Sequence, residues 1–239
     1  MVNKMDVRKV NEELVSFWNN AIKMDDSQKQ EIEKSEFECI ELAPSEKLCK
    51  AIETYKYAKH MLDYGCGNGW ASIIGAKSGI EKVTSVDMGD AIIDSCKFLS
   101  HKFKVDGKID AFKIDEDWLK KEEDEKYDFV FCSNVLDVVP EDTSNMIIKE
   151  LSRVLKRKGN CIIGLNFYMS KDMAKERNIE LVGGRELYVN NVLRLVSFSD
   201  EEWKEKLEKY FEVSELRHFA WPGEKEERRR LFILKKRDK

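Results

Sequence analysis

The run Leu62-Asp63-Tyr64-Gly65-Cys66-Gly67-Asn68-Gly69-Trp70 is the most informative part of this 239-residue chain. Its three glycines stand at alternate positions, directly after a short apolar run and before a segment with helical character. Glycine adopts positive φ at no steric cost, so the backbone can turn tightly and a ligand can lie against the main chain. The run predicts a strand, a ligand-binding loop and a helix, although a simple turn would also use glycine.

An acid follows the loop at the spacing of a nucleoside-binding site. Asp87 lies 22 residues beyond Gly65 and ends a second predicted strand, residues 82–87. Open α/β sheets place at this point the carboxylate that accepts hydrogen bonds from a ribose. The glycine loop and Asp87 together favour nucleoside binding over a mere turn.

Strands and helices alternate outward from this loop. The predicted strands cover residues 61–64, 82–87, 108–114, 127–133 and 160–166, and the predicted helices cover residues 70–77, 91–101 and 141–156. This alternation is typical of a parallel sheet with helices on both faces. Residues 211–219 and 231–234 form two further predicted strands, with no room between them for a crossover helix. That last pair should therefore be antiparallel.

Two segments lie outside the alternation. Residues 1–59 read as a helical region, with an amphipathic spacing at Val7, Val10, Leu14, Phe17 and Trp18 and a second helix start at Pro44-Ser45-Glu46. Residues 168–197 fit no βαβ unit, and residues 185–196 are typical of a small hairpin that turns at Asn190 and Asn191. We therefore divide the chain into an N-terminal region, residues 1–59, and a core, residues 60–239, with an insertion at about residues 168–197.

Charge and hydropathy narrow the function classes. The net charge of −4 gives no overall field for nucleic acid, although residues 224–239 alone carry +4. Arg228, Arg229 and Arg230 in that tail adjoin a strand edge, where positive side chains commonly block aggregation. No apolar run is long enough to cross a bilayer, and residues 1–6 lack the apolar core of a signal peptide. We expect a cytoplasmic protein without membrane or nucleic-acid partners, as a monomer or homodimer.

The cysteines and histidines show no metal-binding spacing. Six cysteines are scattered without a CxxC pair, and three histidines are equally dispersed. Zinc sites and disulfide frameworks both need convergent spacing, so reduced structural thiols are the expected state. We predict no metal site.

The glycine loop resembles the first motif of the class I S-adenosylmethionine-dependent methyltransferases. The likeness rests on DYGCGNG, in which Gly65, Gly67 and Gly69 form GxGxG rather than the GxGxxG of dinucleotide dehydrogenases, and it extends over about residues 60–165. It implies an α/β fold, a three-layer Rossmann-like architecture with a seven-stranded, mostly parallel sheet and an antiparallel last strand. It also implies a helical N-terminal lid, a small inserted cap, S-adenosylmethionine as cofactor and S-adenosylhomocysteine as product.

The resemblance assigns roles around the cofactor. Asp63 would help hold the amino group, and the loop, with Cys66 and Asn68, would lie beside the methionine moiety. Asp87 would bind both ribose hydroxyls, and Met88 would pack on adenine. The remaining assignments are Asp115, with Glu116 nearby, as the carboxylate for the adenine amino group, and Ser133 and Asn134 beside the sulfonium and the substrate. For Asp115 the alternative is a solvated acidic loop, because residues 115–125 carry seven acids.

Residues 127–137 depart from the family in two ways. They lack the NPPY or DPPY motif of adenine and glutamine methyltransferases, and Asp137 stands where many small-molecule members carry a histidine. Asp137 is a candidate for a general base or for attracting a cationic substrate. A surface acid that caps the next helix is an equally good interpretation.

Substrate and lid candidates lie at both ends of the core. Phe17 and Trp18 resemble the aromatic lid of small-molecule methyltransferases, although core packing explains their spacing equally well. Trp70 follows the glycine loop directly. In the insertion the candidates are Arg185, Tyr188 and Arg194. The two arginines could pair with an anionic substrate, and a solvated hairpin is the alternative.

The sequence predicts methyl transfer from S-adenosylmethionine to a small-molecule acceptor whose reacting atom is unassigned. Alignment of the reactants and exclusion of water can suffice for such a displacement, so a dedicated catalytic residue is optional. Two alternatives stay open. One is an RNA or protein methyltransferase with the same core, and the other is a non-catalytic protein that binds S-adenosylmethionine.

Overall fold

The computed structural model describes residues 7–237 as a three-layer α/β structure. The helices are α1 (Val7–Ile22), α2 (Asp26–Lys34), α3 (Glu46–Glu53), α4 (Trp70–Ser78), α5 (Asp90–Lys102), α6 (Trp118–Lys121), α7 (Glu141–Val154), α8 (Lys171–Glu176) and α9 (Asp200–Glu208), with a 3₁₀ turn at Cys39–Leu42. The strands are β1 (His60–Tyr64), β2 (Lys82–Asp87), β3 (Ile109–Lys113), β4 (Tyr127–Ser133), β5 (Leu155–Leu165), β6 (Glu186–Val189), β7 (Val192–Val196), β8 (Phe211–Phe219) and β9 (Arg229–Lys236).

Seven strands form one sheet in the order β3-β2-β1-β4-β5-β9-β8. The first five are parallel, and β9 runs antiparallel to both of its neighbours. The prediction of a mostly parallel seven-stranded sheet with an antiparallel last strand is thereby confirmed. The strand order reverses between β1 and β4, and open α/β sheets bind their ligands outside the carboxyl ends of the strands at such a point.

Both faces of the sheet are buried, each in its own hydrophobic cluster. Met61, Phe129 and Phe131 pack into one cluster, whereas Leu62 and Val130 pack into the other. Strands covered on both sides need apolar residues at successive positions, which is why β1 and β4 read as continuous apolar runs. The two clusters reach the carboxyl edge of the sheet, so a ligand there meets apolar walls on either side.

The boundary between α7 and β5 corrects the sequence prediction. The helix ends at Val154 instead of residue 156, and the strand begins at Leu155 instead of residue 160. Leu155 is fully buried and pairs with Tyr127, and the register then shifts before Phe129 pairs with Asn160. The charged residues after Leu155 have good helix propensity, but tertiary packing of Leu155 overrides it.

The insertion contains α8 and the hairpin of β6 and β7. The predicted hairpin is confirmed, and its turn residues Asn190 and Asn191 have φ of 52° and 65°. Two consecutive residues with positive φ make a tight hairpin turn that matches the strand twist, and asparagine tolerates this conformation better than most residues.

The arginines Arg228, Arg229 and Arg230 stand just before and at the start of β9, which is not an edge strand of the sheet. β9 lies between β5 and β8, and the edge strands are β3 and β8. Arg229 and Arg230 are 7% and 1% exposed, so two of the eight basic side chains of the tail point inward. The prediction that these side chains protect a sheet edge is wrong, because β9 is covered by β8, and β8 is the edge strand on that side of the sheet.

No helix within residues 7–237 is long and apolar enough to cross a bilayer. In the same part of the chain, no group of three or more His, Cys, Asp or Glu residues is arranged to hold a metal ion. The six cysteines are free thiols, and all but Cys39 are buried.

Candidate active site

A cavity of about 760 Å³ opens at the carboxyl edge of the sheet. Its floor is formed by the ends of β1, β2 and β4, and α1 and α2 cover it. Twelve of the residues predicted for the site line it: Trp18, Asp63, Gly65, Cys66, Gly67, Asn68, Trp70, Asp87, Met88, Glu116, Ser133 and Asn134. The structure thus gathers most of the predicted cofactor set around one space.

The glycine loop presents its main chain to this cavity at Gly67. Gly65 and Gly67 have φ of 73° and 53°, the left-handed region that favours glycine. A Cβ on Gly65 would lie 2.3 Å from Val135 Cγ2, so this glycine permits close packing. A Cβ on Gly67 would meet only Ile22 Cδ1, at 3.7 Å, so the space above Gly67 belongs to the cavity. Gly69 does not line the cavity and packs behind it on Cys96.

Asp87 ends β2 directly beside this loop. Its Oδ2 accepts a hydrogen bond from Gly67 N at 3.1 Å, and its Oδ1 accepts one from Met88 N at 2.7 Å. Burial raises the pKa of Asp87, and the backbone N–H donors oppose that rise. Each carboxylate oxygen has a second acceptor site, so Asp87 can still accept from two neighbouring hydroxyl groups.

Asp63 is a buried acid in the cavity floor, with 2% of its surface exposed. Ser72 Oγ donates to Asp63 Oδ2 at 2.6 Å, and Ser72 Oγ lies 2.6 Å from Ser85 Oγ. Burial raises the pKa of Asp63 to about 7, and the neighbouring Asp87 adds to the rise. A cationic group in the cavity would offset this penalty and favour the carboxylate.

After β3 the cavity is lined by Glu116 and not by Asp115, the residue that the resemblance favoured. Asp115 Oδ1 accepts from Asp117 N at 3.0 Å, and its side chain is 67% exposed. That exposure matches the alternative of a solvated acidic loop. The chain turns into α6 immediately after Asp115, and this turn directs Asp115 outward and leaves Glu116 on the cavity wall.

Ser133 and Asn134 lie at the end of β4 and line the cavity. Asn134 has φ of 57° and donates its backbone N–H to Gly164 O at 2.8 Å. Within the described residues its side-chain Oδ1 is buried and has no hydrogen-bond partner. The left-handed turn at Asn134 ends the strand and starts the loop that continues the cavity wall.

The N-terminal helix α1 is fixed on the core by polar and cation–π contacts. Asn19 Oδ1 accepts from Ala91 N at 2.8 Å, at the start of α5. The guanidinium of Arg194 lies 4.2 Å from the ring centroid of Phe17 and 5.3 Å from that of Trp18. Trp18 lines the cavity, whereas Phe17 does not. The two aromatic residues proposed as a lid therefore have different positions.

Asp137 is fully buried and does not line the cavity. Its Oδ2 accepts from Asn166 N at 2.6 Å, and burial raises its pKa despite the nearby Arg230. The interpretation of a surface acid that caps the next helix is wrong, because α7 begins after Pro140 and Asp137 is enclosed. The hydrogen bond holds the end of β5 against the loop after β4.

The substrate candidates of the insertion do not reach the cavity. Arg185 pairs with Glu202 at 2.6 Å, and Tyr188 donates its hydroxyl to Glu186 at 3.0 Å. Arg194 is occupied by the rings on α1. None of the three lines the described cavity, so the structure does not bring them together with the cofactor set.

The sequence analysis missed several cavity residues. They are Asn11, Leu14, Val15, Ala21, Ile22, Lys23, Met24, Gln28, Glu31, Ile32, Leu42, Pro44, Tyr64, Ile92, Ile114, Phe131, Val135, Val138, Val139, Thr143, Met146, Ile147 and Trp221. The periodicity of α1 could have indicated Leu14. The position of Trp221 follows from the strand directions. Because β9 is antiparallel to both β5 and β8, β8 runs parallel to β1, and the loop after β8 lies at the carboxyl edge where the cavity opens.

Comparison with known proteins gives a family match. A family model described as a methyltransferase domain matches residues 56–215. The ubiquinone biosynthesis O-methyltransferase of Nitrosomonas europaea is 28% identical over 162 residues, which are 68% of this chain and 61% of that protein. The ribosomal protein L11 methyltransferase of Aquifex aeolicus is 27% identical over 164 residues, 68% of this chain and 58% of that protein. The chain thus spans less than two thirds of these relatives.

A solved structure shows the same fold. A SAM-dependent methyltransferase from Methanosarcina mazei superposes with a TM-score of 0.60 at 20% identity, over 74% of this chain and 92% of that one.

Proposed function

Because the chain belongs to the class I S-adenosylmethionine-dependent methyltransferases, we propose that it transfers a methyl group from S-adenosylmethionine to a small-molecule acceptor. The observation that carries this proposal is Asp87, whose carboxylate is oriented by Gly67 N and Met88 N in the floor of a large cavity. That arrangement places a two-pronged hydrogen-bond acceptor beside open glycine backbone, which suits a ribose.

The residues present fit the nucleoside and the ammonium group of the cofactor. Asp87 would accept from the ribose hydroxyls, and Glu116 would face the adenine amino group. Met88 and Ile114 offer apolar surface for the base, since both line the cavity beside these acids. The buried carboxylate of Asp63 would bind the ammonium, and that charge would offset the desolvation that raises its pKa.

When bound, S-adenosylmethionine supplies a methyl group on a cationic sulfur, which is a good leaving group. The chain would contribute alignment of the acceptor and partial exclusion of water by the helices α1 and α2 that cover the site. No histidine lies among the described residues that line the cavity. Asp137 is hydrogen-bonded away from it, so the proposal assigns positioning to the protein rather than proton removal by a dedicated base.

A small molecule suits the cavity better than a protein or RNA acceptor. The helices α1 and α2 cover the site, and Ser95 Oγ donates to Ile22 O at 3.0 Å at the end of α1. A folded macromolecule would need an open face instead. The O-methyltransferase relative supports a small acceptor, whereas the ribosomal protein methyltransferase relative supports a protein one.

Calorimetric titration with S-adenosylhomocysteine tests the cofactor half of the proposal. We expect a single site in the wild type and a loss of about tenfold to hundredfold in affinity for Asp87→Ala, since hydrogen bonds to a charged group are removed. Asp90→Ala is the matched control, because Asp90 is exposed and pairs only with Lys113 on the surface. Transfer of label from methyl-labelled S-adenosylmethionine to a metabolite extract tests the other half. Absence of binding, or equal affinity in all three proteins, would refute the proposal.

A further inference from the structure

One side of the cavity is an aromatic wall formed by Trp70, Phe131 and Trp221. Trp70 and Phe131 meet edge to face, with centroids 5.4 Å apart and planes at 88°. Phe131 is the register partner of Asp63 on the neighbouring strand, so the wall begins beside the buried carboxylate. The three aromatic residues belong to the hydrophobic cluster on one face of the sheet. Met88 and the apolar surface beside Asp87 belong to the cluster on the other face of the sheet. The aromatic wall is therefore separate from the surface assigned to the nucleoside.

Trp221 is held in this wall by Arg229, whose buried side chain pairs with the exposed Glu224. The guanidinium carbon of Arg229 lies 3.5 Å from the indole centroid. Glu224 Oε1 accepts from Arg229 Nη2 at 2.7 Å, and Glu224 Oε2 accepts from Trp221 N at 2.8 Å. Arg229 Nη1 donates to Asn166 Oδ1 at 2.5 Å. Arg229 is 7% exposed. Its guanidinium therefore interacts with Trp221, Glu224 and Asn166 rather than with solvent, and these contacts hold Trp221 at the cavity.

The cavity lining is poor in positive charge. Among the described lining residues Lys23 is the only lysine or arginine, and it is an exposed residue between α1 and α2. Four acids line the same space: Glu31, Asp63, Asp87 and Glu116. The nearby arginines are engaged elsewhere. Arg230 donates to Asn166 O and Phe198 O, Arg185 pairs with Glu202, and Arg194 lies over α1 rings. A phosphate or carboxylate in the cavity would find no guanidinium.

We propose that Trp221 binds the methyl acceptor, that Arg229 is its positioning residue, and that the acceptor is a planar, apolar small molecule without an anionic group. This inference rests on the proposed function of methyl transfer. A flat ring gains most from a rigid indole face, and an anionic acceptor would find no arginine and only the exposed Lys23 among the described lining residues.

The charge of the acceptor is tested by fractionation. A metabolite extract is separated by anion exchange at pH 8 into retained and unretained fractions, and each is incubated with the wild-type protein and methyl-labelled S-adenosylmethionine. We expect label in products of the unretained fraction. Label mainly in products of the retained fraction would overturn the inference but leave methyl transfer standing. No label in any fraction, with cofactor binding intact, would refute methyl transfer itself and this inference with it.

The role of Trp221 is tested with the active fraction as acceptor. For Trp221→Ala we expect the amount of fraction needed for half-maximal rate to rise about tenfold, the usual order for loss of one stacking partner. Trp221→Phe should keep most of the wild-type dependence, because a flat ring remains. The affinity for S-adenosylhomocysteine should be unchanged in both. A wild-type dependence on acceptor in Trp221→Ala would overturn the assignment.

Arg229 has a matched control in its neighbour. Arg228 is exposed and pairs with Glu226, so Arg228→Gln should leave the acceptor dependence unchanged. Arg229→Gln should raise the half-saturating amount of acceptor severalfold while the maximal rate and cofactor affinity stay near wild type. Equal behaviour of the two glutamine variants would overturn the positioning role. If thermal melting shows Arg229→Gln to be unfolded, Arg229→Lys is compared, since it keeps the charge but loses the planar stack.

Discussion

Asp63→Asn should stabilise the ligand-free protein and weaken its binding of the cofactor. Asp63 is a carboxyl group with 2% exposure and no cation beside it within residues 7–237, and burial raises its pKa from 3.8 to about 7. A shift of this size corresponds to a penalty of about 4 kcal/mol on the ionised form. Asparagine removes the charge and can keep the hydrogen bond from Ser72.

The direction in which stability changes with pH follows from the number of protons that the folded and unfolded states bind. Between pH 4 and pH 7 the folded protein holds the Asp63 proton while the unfolded chain has released it, so the stability of the wild type falls as the pH rises through this window. The penalty is absent below pH 4 and complete above pH 7. Burying the new amide group costs about 1–2 kcal/mol. The net gain for Asp63→Asn is therefore about 2 kcal/mol at pH 8, or about 4–8 °C in Tm for a chain of this size.

Urea denaturation of the wild type and Asp63→Asn at pH 4.5 and pH 8 measures this difference, with Asp90→Asn as the exposed control. We expect the variant to be more stable only at pH 8 and the control to stay within about 0.5 kcal/mol of the wild type. In calorimetry the affinity of Asp63→Asn for S-adenosylhomocysteine should fall at least about tenfold. A variant that is less stable than the wild type at pH 8, or that differs equally at both pH values, would refute the reasoning.

Three further results are expected. The affinity of the wild type for S-adenosylhomocysteine should be about tenfold weaker at pH 6 than at pH 8, because binding requires the carboxylate of Asp63, whose pKa is about 7; calorimetry on Asp63→Asn should show no such dependence. Glu116→Gln should weaken adenosine-containing ligands severalfold while Asp115→Asn changes nothing, since Glu116 alone of the two lines the cavity; equal effects in equilibrium binding would contradict that assignment. Arg230→Ala should lower the free energy of unfolding measured with urea by about 3–5 kcal/mol, because it removes hydrogen bonds to Asn166 O and Phe198 O and leaves Asp137 without its nearby cation. The control Arg228→Ala should lower the free energy of unfolding far less.

Much of the fold and the grouping of the candidate site residues around one cavity could be predicted from the sequence because those signals are local. The glycine loop specifies positive φ within three residues, and Asp87 ends a strand whose place in a parallel sheet follows from alternation. The carboxyl ends of neighbouring parallel strands meet at one edge, so Asp63, Asp87 and Asn134 had to lie close together.

The remaining features depend on contacts between distant segments. Trp221 reaches the cavity only because β9 pairs between β5 and β8, and no spacing in the sequence states that order. The choice of Glu116 over Asp115 depends on the turn into α6, a shift of one residue. Leu155 enters β5 instead of α7 because it is buried against Tyr127. In each case tertiary packing, rather than local propensity, decides the outcome.

A crystal structure of the protein with S-adenosylhomocysteine tests the central claim most directly. The account predicts both ribose hydroxyls on the Asp87 carboxylate, the amino group of the ligand near Asp63, and the adenine beside Met88 and Glu116. Trp70 and Trp221 should remain uncovered by the ligand. A ligand bound elsewhere, or a ribose that makes no contact with Asp87, would contradict it.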